Sequence, residues 1–539
     1  VKAVEGDQRI TLYWDNKAEN SFDAFYQRIN FEGYRVYRST EPNFLEDKII
    51  TDANGQPIFR KPIAQFDLVD GVTGLHPIDV AGAKFYLGDD SGLKHSFTDT
   101  TVQNGQTYYY AVVSYDKGFT DTSVAGVFQG IPPSETTSII KLVNGKYKTD
   151  INTVVVTPHA PSAGYIAPDL LNKMHIGSGT GTIEVSMIDP DSLRKSHSYK
   201  IEFADTSLYH NNTHPTYTLV DLTSNDTLIK KTSMKGLEEQ TNVIHGFTVK
   251  MTNDTIVSVD RNVKKTAWAI VDSTFVVTTG FDKTNSAALS PRRVDYPADF
   301  EITFTEPGKG DTLFPSSTFP PPPFATNIKI KNLTENIDHW QFVFFDQNKD
   351  SLFNAGDAIY LVVGDSAGRP ATDFGSAHFS WSMSLFKDTT RKFDQKITPN
   401  PGEVYRIVTK KPFRAGETFT FTSKAPGFDQ NQAKNDLNRI SVVPNPYVGA
   451  ASWEQQSDAV GRGERKIYFT HLPAKCTIRI YTISGKLVQQ FNHDSSISDG
   501  QESWNLVSRD GMDIAYGVYI YHVDAPGIGT KINRFAIIK

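Results

Sequence analysis

Apolar and polar residues alternate with a period of two over much of the chain. Ile10, Leu12 and Trp14 repeat at every second position, and so do Tyr199, Ile201 and Phe203. From His378 to Phe386, Phe379, Trp381, Met383 and Leu385 are interleaved mainly with serines. That period belongs to a strand with one buried face and one wet face. Between such runs stand Asn54-Gly55, Asn104-Gly105, Asn144-Gly145, Asp499-Gly500 and Asp510-Gly511. Pairs of this kind supply the backbone signs that hairpin turns need. No long segment carries a 3.6-residue period; only the stretch around Asp169 to Met174 is compatible with a helical turn. The pattern predicts an all-β chain of tandem β-sandwiches.

The runs divide into units. A first unit spans Val1 to about Gly130 and contains an insertion, roughly Glu41 to Lys94, too long for a hairpin loop. Residues 131–178 read as a Pro-rich extended linker, with Pro158, Pro161 and Pro168 stiffening it. A second sandwich is expected over 179–293 and a third over 294–432. No clear linker separates these two, so a single larger sandwich stays open. The run Pro320–Pro323 reads as a rigid connector. The last unit covers 438–539.

Composition adds bounds. With 539 residues, three to five domains are expected. A net charge of −6 without a basic stripe argues against nucleic acid as a partner. Cys476 is the single cysteine, so no intrachain disulfide exists. No apolar run reaches the roughly 18 residues of a spanning helix, so no transmembrane segment is expected. Val1 stands without Met or a signal peptide, which reads as a processed start or a fragment boundary.

The sharpest motif is the segment Asp346 to Asp357. Oxygen-bearing side chains at Asp346, Asn348, Asp350, Asn354 and Asp357 fall at loop positions 1, 3, 5, 9 and 12. The carbonyl of Leu352, at position 7, completes a wrap around a hard cation. The spacing resembles the calcium loops of dockerin-type and EF-hand-like modules, and implies a structural Ca2+ at these six residues. Ser351 replaces the usual glycine at position 6, and a strand rather than a helix follows Asp357. The plain alternative is an Asx-rich hairpin loop without metal.

Other motifs point to no chemistry. Gly177-Ser178-Gly179-Thr180-Gly181 lacks the helix and lysine of a phosphate cradle and leads into a strand. His210 and His214 flank Asn211-Asn212 beside Pro215, a loop setting for two exposed rings. Cys476 alternates with Ile478 and Ile480, as a core thiol does. With no Ser elbow, zinc motif or singled-out acid pair, no catalytic residue is assigned and no enzyme is expected.

Three resemblances supply an address. Ile10–Trp14, Gly33–Arg38 and Asn104–Val112 give the first unit a pattern similar to fibronectin type III. The last unit resembles the C-terminal sorting domain of type IX secretion substrates and the immunoglobulin-like domain of flagellar hook-capping proteins. The matching pieces are Val443-Pro444-Asn445-Pro446-Tyr447, the hairpin from Cys476 to Phe491, Trp504, Gly517–Tyr521 and the closing Phe535–Lys539. Triplets beginning at Asp99, Asp191, Asp226, Asp254, Asp272, Asp311, Asp350, Asp365 and Asp388 resemble O-glycan acceptors of exported Bacteroidetes proteins. Together these imply an extracellular or cell-surface protein that meets the type IX secretion machinery and carries glycans.

The expected function is a non-enzymatic structural subunit that self-assembles into a filament or sheath through exposed strand edges. The competing readings are a carbohydrate- or surface-binding adhesin, using the insertion at Glu41 to Lys94, and an accessory C-terminal part of a larger secreted enzyme.

Overall fold

In a computed structural model the chain is 51% strand and 3% helix, all-β with predominantly antiparallel sheets. The structure describes residues 1–24, 27–45, 50–51, 54–124, 127–143, 146–204, 215–234, 238–254, 256–262, 264–270, 275–280, 292–314, 323–364, 371–372, 375–387, 397–448 and 465–538. His210, His214 and most of the run Pro320–Pro323 lie outside them. No helix among the described residues is long and apolar enough to cross a membrane.

In the first unit, the strands Lys2–Gly6, Arg9–Tyr13 and Ser96–Asp99 form one sheet. The facing sheet runs in the order Thr153–Val156, Tyr108–Asp116, Phe31–Ser39, Ala64–Asp67. Ile10, Leu12, Trp14, Tyr34, Val36, Tyr110 and Val112 meet between them. Strand Phe31–Ser39 is buried on both faces because the insertion folds back over its outer side. There Phe44 packs with Tyr37, Tyr109 and Val113, and Phe85 and Leu87 pack with Tyr115. The insertion is thus a packed excursion.

The boundary expected at residue 130 moves. Thr153–Val156 pairs with Tyr108–Ala111, Tyr109 opposite Val155, so the edge strand of the first unit comes from the expected linker. A second excursion separates the two strands. It carries the hairpin Phe119–Val124 with Val127–Ile131 and the hairpin Ile140–Val143 with Lys146–Thr149.

The proline-rich remainder is a strap. Ala160, Ser162 and Ala163 are buried, and their backbone bonds go to the last unit. Ser162 N donates to Ile497 O (3.1 Å), Ala163 N to Leu472 O (3.0 Å), and Gly500 N to Ala160 O (2.9 Å). A Cβ on Gly500 would lie 2.5 Å from Pro161 O, so this close approach requires glycine. The prolines hold the strap extended and leave few N–H groups to satisfy, which suits a segment buried between two units.

The middle of the chain is nested. Asp169–Ile176 is a strand, not a helical turn. Its sheet runs Asp169–Ile176, Thr418–Lys424, Ser198–Ala204, Thr216–Asp221, Asp226–Ser233. The second strand arrives from more than two hundred residues downstream. Phe413, Phe419 and Phe421 share a core with Tyr199, Phe203 and Phe247 from that unit. Strands Thr182–Met187, Phe247–Thr252 and Glu238–Gln240 make a three-stranded sheet whose inner residues join the same core.

The third unit is inserted within the second. One of its sheets runs Ala267–Ile270, Val404–Ile407, Phe300–Phe304, Ile328–Asn332, and the other Phe275–Gly280, His378–Lys387, Ala358–Val363, Phe342–Phe345. The chain enters and leaves it on adjacent strands, Ser258 opposite Lys410. The expected boundaries 179–293 and 294–432 therefore do not match the sheets.

In the last unit, Ser441–Val443, Ile467–Thr470 and Glu502–Trp504 face a five-stranded sheet. That sheet runs Tyr447–Val448, Gly529–Ile538, Gly517–Ala525, Lys475–Thr482, Leu487–Asp494. The chain crosses from one sheet to the other through Pro444 and Pro446. Tyr447 and Val448 then pair in parallel with Ile537 and Ile538.

Candidate functional site

The loop from Asp346 to Asp357 joins Phe342–Phe345 to Ala358–Val363 in the third unit. Its carboxylates accept hydrogen bonds from the loop's own N–H groups. Asp346 accepts from Lys349 N (2.6 Å) and Ser351 N (2.8 Å). Asp350 accepts from Leu352 N (2.8 Å) and from the amides of Asn348 (3.0 Å) and Asn354 (2.6 Å). Asp357 accepts from Gln347 N and Asn354 N, both at 2.9 Å. Ser351 takes φ = 64°, the left-handed turn that glycine normally provides at this position. Phe353 anchors the loop, fully buried in the third core, with its N–H on Asn327 Oδ1 at 2.7 Å.

Burial raises the Asp357 carboxyl above the ordinary carboxylate range, and the charges of Asp346 and Asp350 add to the rise. The three acids are close enough to repel, with no ion pair to offset them among the described residues. They do not stand within reach of one ion, however: no three His, Cys, Asp or Glu side chains do so among the described residues. A cation here requires Asp346, Asp350 and Asp357 to exchange some loop N–H bonds for metal bonds.

A second cluster joins the first and last units and was not visible in the sequence. Asp7 accepts from the Arg439 guanidinium (2.8 Å), from Asn104 Nδ2 (2.8 Å) and lies 2.9 Å from His471 Nε2. The His471 hydrogen bond, with Asn104 and Arg439 behind it, holds the Asp7 carboxyl down to about 2. Nearby, His159 of the strap lies 2.9 Å from Glu5 and 3.8 Å from Asp499. Glu5 raises the His159 pKa, against the effect of burial. A cavity of 490 Å³ opens beside it, walled by Glu5 and His159 on one side and His493, Asp499 and Glu502 on the other.

A groove of 1080 Å³ runs between the first and second units, past Tyr13, Trp14, Asp150 and Asn242. Tyr13 Oη donates to Asp189 Oδ2 at 3.0 Å across that junction. The insertion Glu41 to Lys94 does not line it.

Gly177–Gly181 serves packing. A Cβ on Gly179 would collide with Glu417 and Phe413, and one on Gly181 with Thr252 O and Phe413, so the glycines let the chain pass close to the segment that leads into strand Thr418–Lys424. Cys476 is buried, and burial pushes its thiol up to about 12, too high for a nucleophile. Among the Asp-Ser/Thr triplets, the hydroxyl residues Thr100, Ser192, Thr227, Thr312 and Ser351 are exposed. The other four hydroxyl residues lie outside the described residues.

No family model matches the chain, and no curated protein does. Structural comparison aligns PorZ, a surface component of the type-IX secretion system of Porphyromonas gingivalis, over 85% of this chain and 68% of that one, at 11% identity and a TM-score of 0.17. Dimeric latent PorU from Porphyromonas gingivalis aligns over 70% of this chain and 34% of its own, at 12% identity and a TM-score of 0.13. A tetra-tandem repeat from the extending region of a large adhesion protein aligns over 98% and 95%, at 10% identity and a TM-score of 0.11. At such TM-scores the alignments carry no argument about this chain.

Proposed function

We propose that this chain is a non-enzymatic structural protein of an extracellular or cell-surface assembly, exported through type IX secretion. The observation that carries the reading is the docking of the last unit. A passive tag needs no partner within its own chain, whereas this unit buries the strap and bonds to the first unit through Asp7, Arg439 and His471. It has the construction of a retained part. Its strand order, and that of the first unit, support the resemblances to immunoglobulin-like and fibronectin type III sandwiches. The exposed hydroxyls of the five described triplets support glycan attachment. The loop at Asp346 to Asp357 is where a structural Ca2+ would rigidify the third unit.

Assembly with identical subunits is the finer part of the proposal, tested by sedimentation velocity and negative-stain microscopy of the full chain, with and without calcium. Concentration-dependent ordered polymers support it, and a strict monomer at every concentration overturns it. The groove between the first and second units favours a second reading, an adhesin. A glycan array probed with the full chain tests that reading, and an array without enrichment removes it.

A further inference from the structure

The cavity between the first and last units has a chemistry of its own. His493 and Glu502 point inward from opposing sheets of the last unit, at the end of the sandwich that the first unit covers. His493 is only 3% exposed. Its Nδ1 lies 2.9 Å from Glu502 Oε2. In the neutral ring that bond takes the Nδ1 proton and leaves Nε2 as an acceptor. Nε2 is buried and has no hydrogen-bond partner. Gln501 Oε1, from a second lining residue, is buried and unpartnered as well.

The remaining walls also accept. Glu5 and Asp499 present carboxylates, with His159 lying between them. Among the described residues, no lysine or arginine lines the cavity. Lys475 reaches Asp494 (3.4 Å) and leaves Glu5, Asp499 and Glu502 as the other acids lining the cavity. With both histidines protonated, three carboxylates still exceed two imidazolium groups. Buried acceptors are ordinarily satisfied, and the two buried side-chain atoms left without a partner here, His493 Nε2 and Gln501 Oε1, are both acceptors, which points to a donor as their complement. What is missing is a positively charged donor of several hydrogen bonds. The acceptors are spread around 490 Å³, and among the described residues no three acid or histidine side chains converge within reach of one ion. Such dispersion suits an extended cation better than a metal.

We propose that this cavity is a recognition slot for an organic cation bearing N–H donors, an ammonium or guanidinium group. It is supplied either by a free amine or by a basic side chain of another polypeptide. Because Glu5 and His159 belong to the first unit and its strap, a bound cation ties the first and last units together.

The test is calorimetric titration of the full-length chain at low salt with agmatine, spermidine, and the blocked amino acids N-acetyl-arginine amide and N-acetyl-lysine amide. Saturable binding of at least one probe is expected, weakened tenfold or more by Glu502→Gln and by Glu5→Gln. Glu5 is a wall residue outside either core, so its variant keeps the test open if Glu502→Gln fails to fold. Tighter binding of the blocked amino acids assigns the slot to a polypeptide side chain; tighter binding of spermidine or agmatine assigns it to a free amine. The proposal is overturned if no probe saturates by 10 mM or if both variants bind as the parent does.

Discussion

Asp7 Oδ2 and His471 Nε2 stand 2.9 Å apart although 464 residues of chain separate them. The contact closes the molecule, since Asp7 belongs to the first unit and His471 to the last. Its energetics have a definite sign. A carboxyl held at about 2 when folded, against the ordinary 3.8, stabilises the folded form above about pH 4 and loses that contribution as pH falls through 2. His159 acts in the opposite sense. Its raised pKa contributes at low pH and fades as pH rises through the folded value. Asp7→Asn should therefore cost about 1 kcal/mol at pH 6, after discounting for partial exposure, and almost nothing near pH 2. Denaturant melts at the two pH values measure both.

Glu32 carries a prediction of the other sign. It is fully buried, and neither carboxylate oxygen has a hydrogen-bond partner. Burial, then the charges of Asp70, Asp67 and Asp90, push its carboxyl up to about 7, while Lys117 at 4.0 Å pulls against them. The ionised form opposes folding, so stability declines as pH rises from about 4.5 through 7. Glu32→Gln is expected to raise stability at pH 8 by up to about 3 kcal/mol, from 1.36 kcal/mol per pKa unit. At pH 4 the change should vanish. A variant less stable at pH 8 would show that the Lys117 pairing dominates.

The calcium loop is testable by heat. If Ca2+ binds Asp346 to Asp357 with a dissociation constant near 10 μM, 1 mM calcium adds about 2.7 kcal/mol. Asp350→Asn should abolish the shift in Tm. An unchanged Tm in the parent chain identifies the segment as an Asx-rich hairpin held by its own N–H groups.

The nested third unit predicts modularity. Asn253 Oδ1 accepts Phe413 N at 2.9 Å, so the two ends of the interrupted second unit touch. Residues 254–412 should fold alone with one cooperative transition. The chain with those residues replaced by a short Gly-Ser link should keep the core of Tyr199, Phe247 and Phe421. Circular dichroism melts of both pieces check this, and loss of cooperativity in both contradicts it.

Much of this fold was legible locally. Ile10, Leu12 and Trp14, or Phe379, Trp381 and Met383, signal their strands because period-two burial is a local property. Cys476 was legible as core for the same reason. Pairing over distance was not. Nothing between Tyr108 and Thr153 announces that they share a sheet, because two hairpins intervene. Thr418–Lys424 lies between Asp169–Ile176 and Ser198–Ala204 although the sequence shows it only as a late strand. The prolines of the strap do not reveal whether an extended segment is exposed or docked; Ala160, Ser162 and Ala163 were the small residues that close packing needs. The loop at Asp346 was visible through its spacing. The cluster of Asp7, Glu5, His159, His471 and His493 was not, since it is assembled from opposite ends of the chain.

The strap and last unit are docked on the first, and native-state hydrogen exchange reads that docking amide by amide. The N–H groups of Ser162, Ala163 and Gly500 bond across the junction. They should exchange at least a hundredfold more slowly than an open chain, roughly 3 kcal/mol of protection, and Gly500→Val should abolish that protection while strands within the last unit keep theirs. Exchange of these three amides at the open-chain rate in the parent protein, with the sandwich strands protected, would mean that the strap and last unit are not docked.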